Sequence, residues 1–267
     1  MTLDMLYSTF NDGIFALIKN IPSINENVKI IIIHQVNKEI DLDEINLILK
    51  LRHDISYYKS YTKGVAISRN IAIEKSTSEI ILFCDDDVIY SDKFYDIITS
   101  QYKHNPNVEF ITFAYSNNKT MDSYASKFST VSHPHNFKSI LKVGTIEVTA
   151  RRKIIIKNNI RFPNDMGAGT QYFLCDEPVF LSYFLKNKLF GVYVPCIICF
   201  HPEHSSGKIF NSLDAFGSRF LCFTRIFGSV VGYLLYVLYL MKNIKKFKSL
   251  VEFKNAILIS FYIKHKI

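Results

Sequence analysis

Four consecutive isoleucines, Ile30 to Ile33, lie inside an almost continuous β-branched run over residues 28–33, broken only by Lys29. Strand side chains alternate between two faces, so a segment with no polar position offers neither face to water. Such a strand is stable when helices cover both sides of its sheet, which is the arrangement of an α/β domain. A second apolar run, Ile80 to Cys84, has the same character. Around these runs the text alternates. Helices are expected over 14–21, stopping before Pro22, over 66–75, and over 92–102 before the break at Asn105-Pro106; further strands are expected over 5–9 and 108–115. This pattern predicts a mostly parallel central sheet flanked by helices, and the 267 residues suffice for one catalytic domain with a tail.

The second half reads differently. Residues 117–137 are polar and irregular, 142–150 read as a strand, 151–158 as a short helix, and 162–174 as a loop carrying Pro163, Gly167 and Gly169. A helix is expected over 176–186, with Pro178 in its first turn where its missing N–H costs nothing, and a last strand over 192–200. From Ile209 onward the text is helical. Residues 227–241 carry no charge, but this run is shorter than the roughly 20 residues needed to cross a bilayer, so a docked or interfacial helix is expected.

The formal net charge of +8 is concentrated at the C-terminus, where Lys242, Lys245, Lys246, Lys248, Lys254, Lys264 and Lys266 face the single acid Glu252 directly after the apolar run. Lysines beside apolar helical text suit an anionic membrane surface. They do not interleave with aromatics along a recognition element, so nucleic acid is not an expected partner. The five cysteines are odd in number and mostly sit in apolar text, which favours a reducing compartment. Cys196 and Cys199 have the spacing of a metal or redox pair, but Ile197 and Ile198 between them read as buried strand and no second pair exists. With no basic start and apolar core at the N-terminus, a cytoplasmic location is expected, peripheral on the inner face of the membrane.

The strand 79–84 runs straight into Asp85-Asp86-Asp87. In an open α/β sheet, ligands collect at the carboxyl ends of the strands, so these acids should face a cleft. Alternation lets Asp85 and Asp87 point one way and Asp86 the other. Two convergent carboxylates make a hard oxygen site for a divalent cation, which would neutralise charge developing on a diphosphate leaving group. A solvated acidic turn, or an aspartate capping the following helix, is the plainer alternative.

The segment Lys63-Gly64-Val65-Ala66-Ile67-Ser68-Arg69-Asn70, followed by a strand and the Asp85-Asp86-Asp87 triplet, resembles the central motif of family 2 glycosyltransferases with the Rossmann-like GT-A fold. Arg151-Arg152, Arg161-Phe162, Gly167-Ala168-Gly169-Thr170 and Cys175-Asp176-Glu177-Pro178 resemble the family's acceptor-side segment, in which a glycine-rich loop leads to an acidic pair opening a helix. Val194-Pro195 with His201 and Ser205-Ser206 is similar to its late strand and histidine loop. The resemblance spans about residues 5–207 and departs from the family pattern at Ser8-Thr9-Phe10-Asn11 and His34-Gln35, the region that would read the nucleotide base. It implies a catalytic domain over 1–208, with a nucleotide half to about residue 115 and an acceptor half beyond it, and a basic, apolar helical tail over 209–267.

Carried over residue by residue, the resemblance implies that Asp85 holds the ribose or a metal-bound water and that Asp87 ligates Mg2+ or Mn2+. Asp86, Thr9 and Gln35 would border the nucleotide pocket, with Lys63 a further phosphate contact. Arg69 offers a planar fork for phosphate or for an acid of the triplet. Of Asp176 and Glu177, Glu177 is preferred as general base, since inverting transfer needs a carboxylate to accept the acceptor hydroxyl proton; the alternative is that both acids only stabilise the helix dipole. His201 would be a third metal or diphosphate contact, or else a loop histidine with a structural bond. The implied function is inverting transfer of a sugar from a nucleotide-diphosphate donor to a glycan or lipid-linked acceptor, with residues 117–140 shaping the acceptor pocket. A membrane-associated, non-catalytic sugar-nucleotide-binding subunit is the second reading. Nucleotidyl transfer is a third, and it would want a glycine-rich phosphate loop where the stretch from Ser8 to Gly13 has Gly13 alone.

Overall fold

The computed structural model describes residues 1–203 and 209–264. The first half is a run of β-α units: β1 (Leu3–Phe10), α1 (Gly13–Asn20), β2 (Val28–Gln35), α2 (Asp43–Leu51), β3 (Ile55–Ser60), α3 (Val65–Lys75) and β4 (Ile80–Cys84). They form a four-stranded parallel sheet in the order β3-β2-β1-β4. The four isoleucines behave as their pattern demands: Ile30 and Ile32 join the core on one side of the sheet and Ile31 and Ile33 the core on the other, each with 4% exposure or less. Burying one such side chain is worth roughly 1.5–3 kcal/mol, so this strand alone anchors both layers.

Beyond β4 come β5 (Ile89–Tyr90), α4 (Phe94–His104), β6 (Phe110–Ser116), β7 (His133–Pro134), β8 (Val148–Arg151), α5 (Arg152–Lys157), α6 (Asp176–Lys186) and β9 (Gly191–Phe200). Here the sheet becomes mixed. β8 inserts antiparallel between β4 and β6, β9 runs parallel to β6, and β5 and β7 pair antiparallel with β9. The result is one nine-stranded sheet with helices on both faces.

Three local features differ from the sequence reading. No element was expected between residues 36 and 65, yet α2 and β3 lie there; β3 is an edge strand, only half buried, and its mixed polar text lacks the apolar signature of β1, β2 and β4. The strand expected over 142–150 shrinks to β8, preceded by tight turns at Ser139–Lys142 and Thr145–Glu147. The cause is Glu147, whose carboxylate accepts a bond from the Gly144 N–H at 2.9 Å and pulls the backbone out of extended form. In the C-terminal region the uncharged run is interrupted at Gly228, whose φ of +82° ends one helix before the next begins. The helices are α7 (Leu213–Phe227), α8 (Ser229–Lys242) and α9 (Leu250–Lys264). They share an apolar core with Met166 and with Val179 of α6, so this layer rests on the glycine-rich loop and the helix that follows it. No helix among the described residues is long and apolar enough to cross a membrane.

Candidate active site

Because β1, β2 and β4 are parallel, their carboxyl ends open on one edge of the sheet, and a cleft of about 940 Å3 lies there. Thr9, Gln35, Arg69, Asp85, Asp86, Asp87, Asp176, Glu177 and His201 all line it, as does Lys63. The sequence-derived residues, spread from position 9 to position 201, thus meet at one place. Ser205 and Ser206 lie outside the described residues.

The three aspartates turn to three different partners. Asp85 accepts a bond from Arg69 Nη2 at 3.2 Å, Asp86 accepts one from the Thr9 hydroxyl at 2.6 Å, and Asp87 Oδ2 lies 3.7 Å from His201 Nε2. Asp85 and Asp87, expected on one side, are therefore divided between an arginine and a histidine. Burial raises the pKa of Asp86 against the pull of the Thr9 hydroxyl. Gln35 spends its amide nitrogen on Thr62 Oγ1 at 2.9 Å and on the Gly64 carbonyl at 3.1 Å, which ties the loop before α3 to the end of β2.

Arg69 takes the second of its two expected roles. Its Nη1 donates to Asp176 Oδ2 at 2.7 Å and lies 3.6 Å from Glu177 Oε1, while Nη2 serves Asp85. With its side chain 5% exposed, it is the cation at the centre of three carboxylates, stacked at 5.4 Å on the Phe162 ring. Burial works against its charge, but Asp176, Asp85 and Glu177 outweigh that and hold its pKa above the ordinary value. Asp176 is pushed up to about 8 by burial and by the Glu177 charge, with Arg69 pulling the other way.

The two acids at the start of α6 differ in access: the Asp176 side chain is 4% exposed and that of Glu177 20%. Glu177 accepts a short bond from the Thr145 hydroxyl, which faces it into the cleft. The chain enters α6 through Cys175 at φ +69°, a left-handed turn that swings both acids toward Arg69. Gly167, at φ +91°, makes room for them; a Cβ there would lie 2.8 Å from the Asp176 Cγ.

Among the cleft residues not singled out from sequence are Thr145, Glu147 and Lys127. Glu147 is buried and ion-paired with Lys127, and burial pushes it up to about 7 against that lysine's pull. Lys127 also sits over the rings of Tyr115 and Phe128 at 5.1 and 5.0 Å, so it pins the polar segment 117–137 to the cleft wall. No short-range signal marks these residues, because the partners are 20 and 32 positions apart.

His201 follows β9, its N–H bonded to the Ser116 carbonyl at 2.9 Å and its ring 5.4 Å from that of Tyr115. Its Nδ1 is buried and has no hydrogen-bond partner among the described residues. No group of three or more His, Cys, Asp or Glu residues arranged to hold a metal occurs among the described residues, Cys196 and Cys199 included; all five cysteines are free thiols.

The model of the family described as "Glycosyltransferase like family 2" matches residues 10–142, the stretch that carries Arg69, the aspartate triplet and the turn before Thr145. The chain belongs to this glycosyltransferase family. The solved structures similar to it agree on the fold. The 1–349 fragment of S. aureus TarS in complex with UDP-GlcNAc matches with a TM-score of 0.66 at 12% identity, covering 97% of this chain and 79% of that one. A longer S. aureus TarS structure gives 0.65 at 12% identity, with 91% of this chain covered but 43% of TarS, so the chain spans less than half of that protein. The mannosyltransferase PcManGT from Pyrobaculum calidifontis, in complex with GDP-Man and Mn2+, gives 0.54 at 13% identity, covering 97% and 69%. No curated protein matches the chain by sequence. At such identities the neighbours establish a GT-A architecture for this glycosyltransferase, and the chemistry must be argued from its own residues.

Proposed function

We propose that the chain is an inverting, divalent-metal-assisted glycosyltransferase that moves a sugar from a nucleotide-diphosphate donor to a glycan or lipid-linked acceptor, in surface polysaccharide or glycolipid synthesis. The observation that carries this reading is the meeting, in one cleft, of a carboxylate held by a hydroxyl, Glu177 with Thr145, and the Asp87–His201 pair. Glu177 is the general base: it accepts the acceptor hydroxyl proton as that oxygen bonds to the anomeric carbon, while the sugar–diphosphate bond breaks and the diphosphate leaves with the electron pair. Arg69, paired with Asp85 and Asp176, holds these acids in place beside Glu177.

Asp87 and His201 suit Mg2+ or Mn2+ as an oxygen and an imidazole donor facing each other, with His201 Nε2 free of any other bond among the described residues. Bound there, the cation would supply charge neutralisation for the departing diphosphate. The Mn2+ and GDP-Man of the mannosyltransferase neighbour, and the UDP-GlcNAc of TarS, support a nucleotide-sugar donor. Thr9, Asp86 and Gln35 wall the nucleotide side, and Asp85 is assigned to the ribose side of the donor. The lysine-rich end of the C-terminal helices supports a place on the inner, cytoplasmic face of a membrane.

The test is thermal stabilisation of the purified protein by a panel of nucleoside diphosphates, with Mn2+ and with chelator. Metal-dependent stabilisation by one nucleotide, lost in Asp87→Ala, is expected. Full donor hydrolysis or transfer by Asp87→Ala would overturn the metal-assisted mechanism.

A further inference from the structure

Helix α8 is apolar on both sides, and only one side is used. Gly232, Tyr236 and Leu240 form its buried stripe. Gly232 lets α8 approach α7 closely, since a Cβ there would lie 2.5 Å from the Phe223 carbonyl oxygen, and the Tyr236 hydroxyl donates to the Ala256 carbonyl of α9 at 2.6 Å. On the other side Val230, Val231, Leu234, Leu238 and Met241 are each more than half exposed. An ordinary surface helix would carry charge there, and α8 has none before Lys242. Exposed apolar stripes of this kind mark a surface that meets something other than water.

The charge stands at one end of the stripe. The turn from α8 into α9 exposes Lys242, Lys245, Lys246 and Lys248, with Ile244, Leu250 and Val251 exposed between them. Leucines and valines beside a collar of long, flexible cations complement a bilayer boundary: the apolar side chains enter the acyl layer and the ammonium groups reach the phosphates. We propose that this face, Val230 to Met241 of α8 with the lysine turn behind it, is where the protein docks flat on an anionic lipid bilayer. The proposal rests on the membrane location given above and names the surface that makes it. Tyr239 of α8 and Arg219 of α7 line the cleft, so the docked face lies about one helix diameter, roughly 10 Å, from the site. A lipid-linked acceptor would reach Glu177 without leaving the bilayer.

The experiment is vesicle flotation of the full chain with phosphatidylcholine alone and with phosphatidylcholine mixed with phosphatidylglycerol. Leu234→Glu/Leu238→Glu and Lys245→Glu/Lys246→Glu are run beside it, all four positions being exposed. The expected result is partition into the anionic vesicles alone, weakened at least about tenfold in both variants and by added salt. No partition, or equal partition into neutral vesicles, overturns the proposal. So does a wild-type dimer, seen by sedimentation, that Leu238→Glu splits, since a second copy would then be the occupant. Nucleoside diphosphate stabilisation, read in parallel, is expected to be unchanged in both variants; its absence in the wild type would instead count against the transferase reading.

Discussion

Replacing Arg69 with methionine removes the single cation among the described residues that pairs with Asp85, Asp176 and Glu177, while keeping most of the side-chain volume against Phe162. Breaking a buried ion pair by deleting one partner costs about 3–5 kcal/mol, because the other charge stays buried and unpaired. That is a large share of the roughly 5–15 kcal/mol that holds a domain together. The sign of the pH dependence follows from Asp176, pushed up to about 8. Between the ordinary carboxylate range and that value, the folded chain holds a proton that the unfolded chain has lost, so stability falls as pH rises, by about 1.4 kcal/mol per unit for one proton. The gap between wild type and Arg69→Met therefore widens as pH rises through about 8, where Asp176 ionises beside Arg69 in the wild type but holds its proton longer in the variant, and narrows toward about pH 6, where a protonated acid needs no counter-cation. Urea unfolding across this range measures it. A variant within about 1 kcal/mol of wild type at high pH, or a gap independent of pH, would refute the electrostatic role assigned to Arg69.

Glu177→Gln keeps the shape of the base and removes its proton affinity, so transfer should fall by about 10²–10⁴-fold in kcat while donor binding, followed by calorimetry, persists. Thr145→Val deletes the hydroxyl that bonds Glu177 and should lower kcat and shift the pH–rate profile, and Thr145→Ser should restore both. A Cβ at Gly13 would lie 2.2 Å from Asp86 Oδ2 and 2.6 Å from Thr9 Oγ1. Gly13→Ala should thus break the Thr9–Asp86 bond, weakening nucleotide binding measured by titration at a stability cost of about 1–3 kcal/mol.

How much of this was legible in the sequence depended on whether the cause was local. The Ile30–Ile33 run announced a doubly covered strand because alternation is a property of the strand itself. Arg69, the aspartate triplet and the Asp176-Glu177 pair were legible as motifs and meet in the cleft. Their bonding was not, since whether Arg69 holds a phosphate or an acid is decided by where α6 lands. The β8 insertion escaped notice for the same reason: antiparallel pairing between β4 and β6 is a long-range choice that leaves no mark in four residues. β3, at the sheet edge, needs only half its surface buried and so reads as loop. Glu147 and Lys127 stand in text with no motif, and only folding pairs the buried carboxylate of Glu147 with the more exposed Lys127.

The insertion of β8 between β4 and β6 has a mechanical consequence. The strands before and after β8 are hydrogen-bonded into a single plate, with no linker between them among the described residues to serve as a hinge. A jaw that shuts over its substrates is not available to such a plate. On the proposed function, entry of a donor and escape of its diphosphate would instead be managed at the rim, by segments such as the glycine turn at 167–169 that carries no strand pairing with the plate. Stiffening that turn should slow turnover while leaving the distances between Glu177, Arg69 and the aspartates as they are.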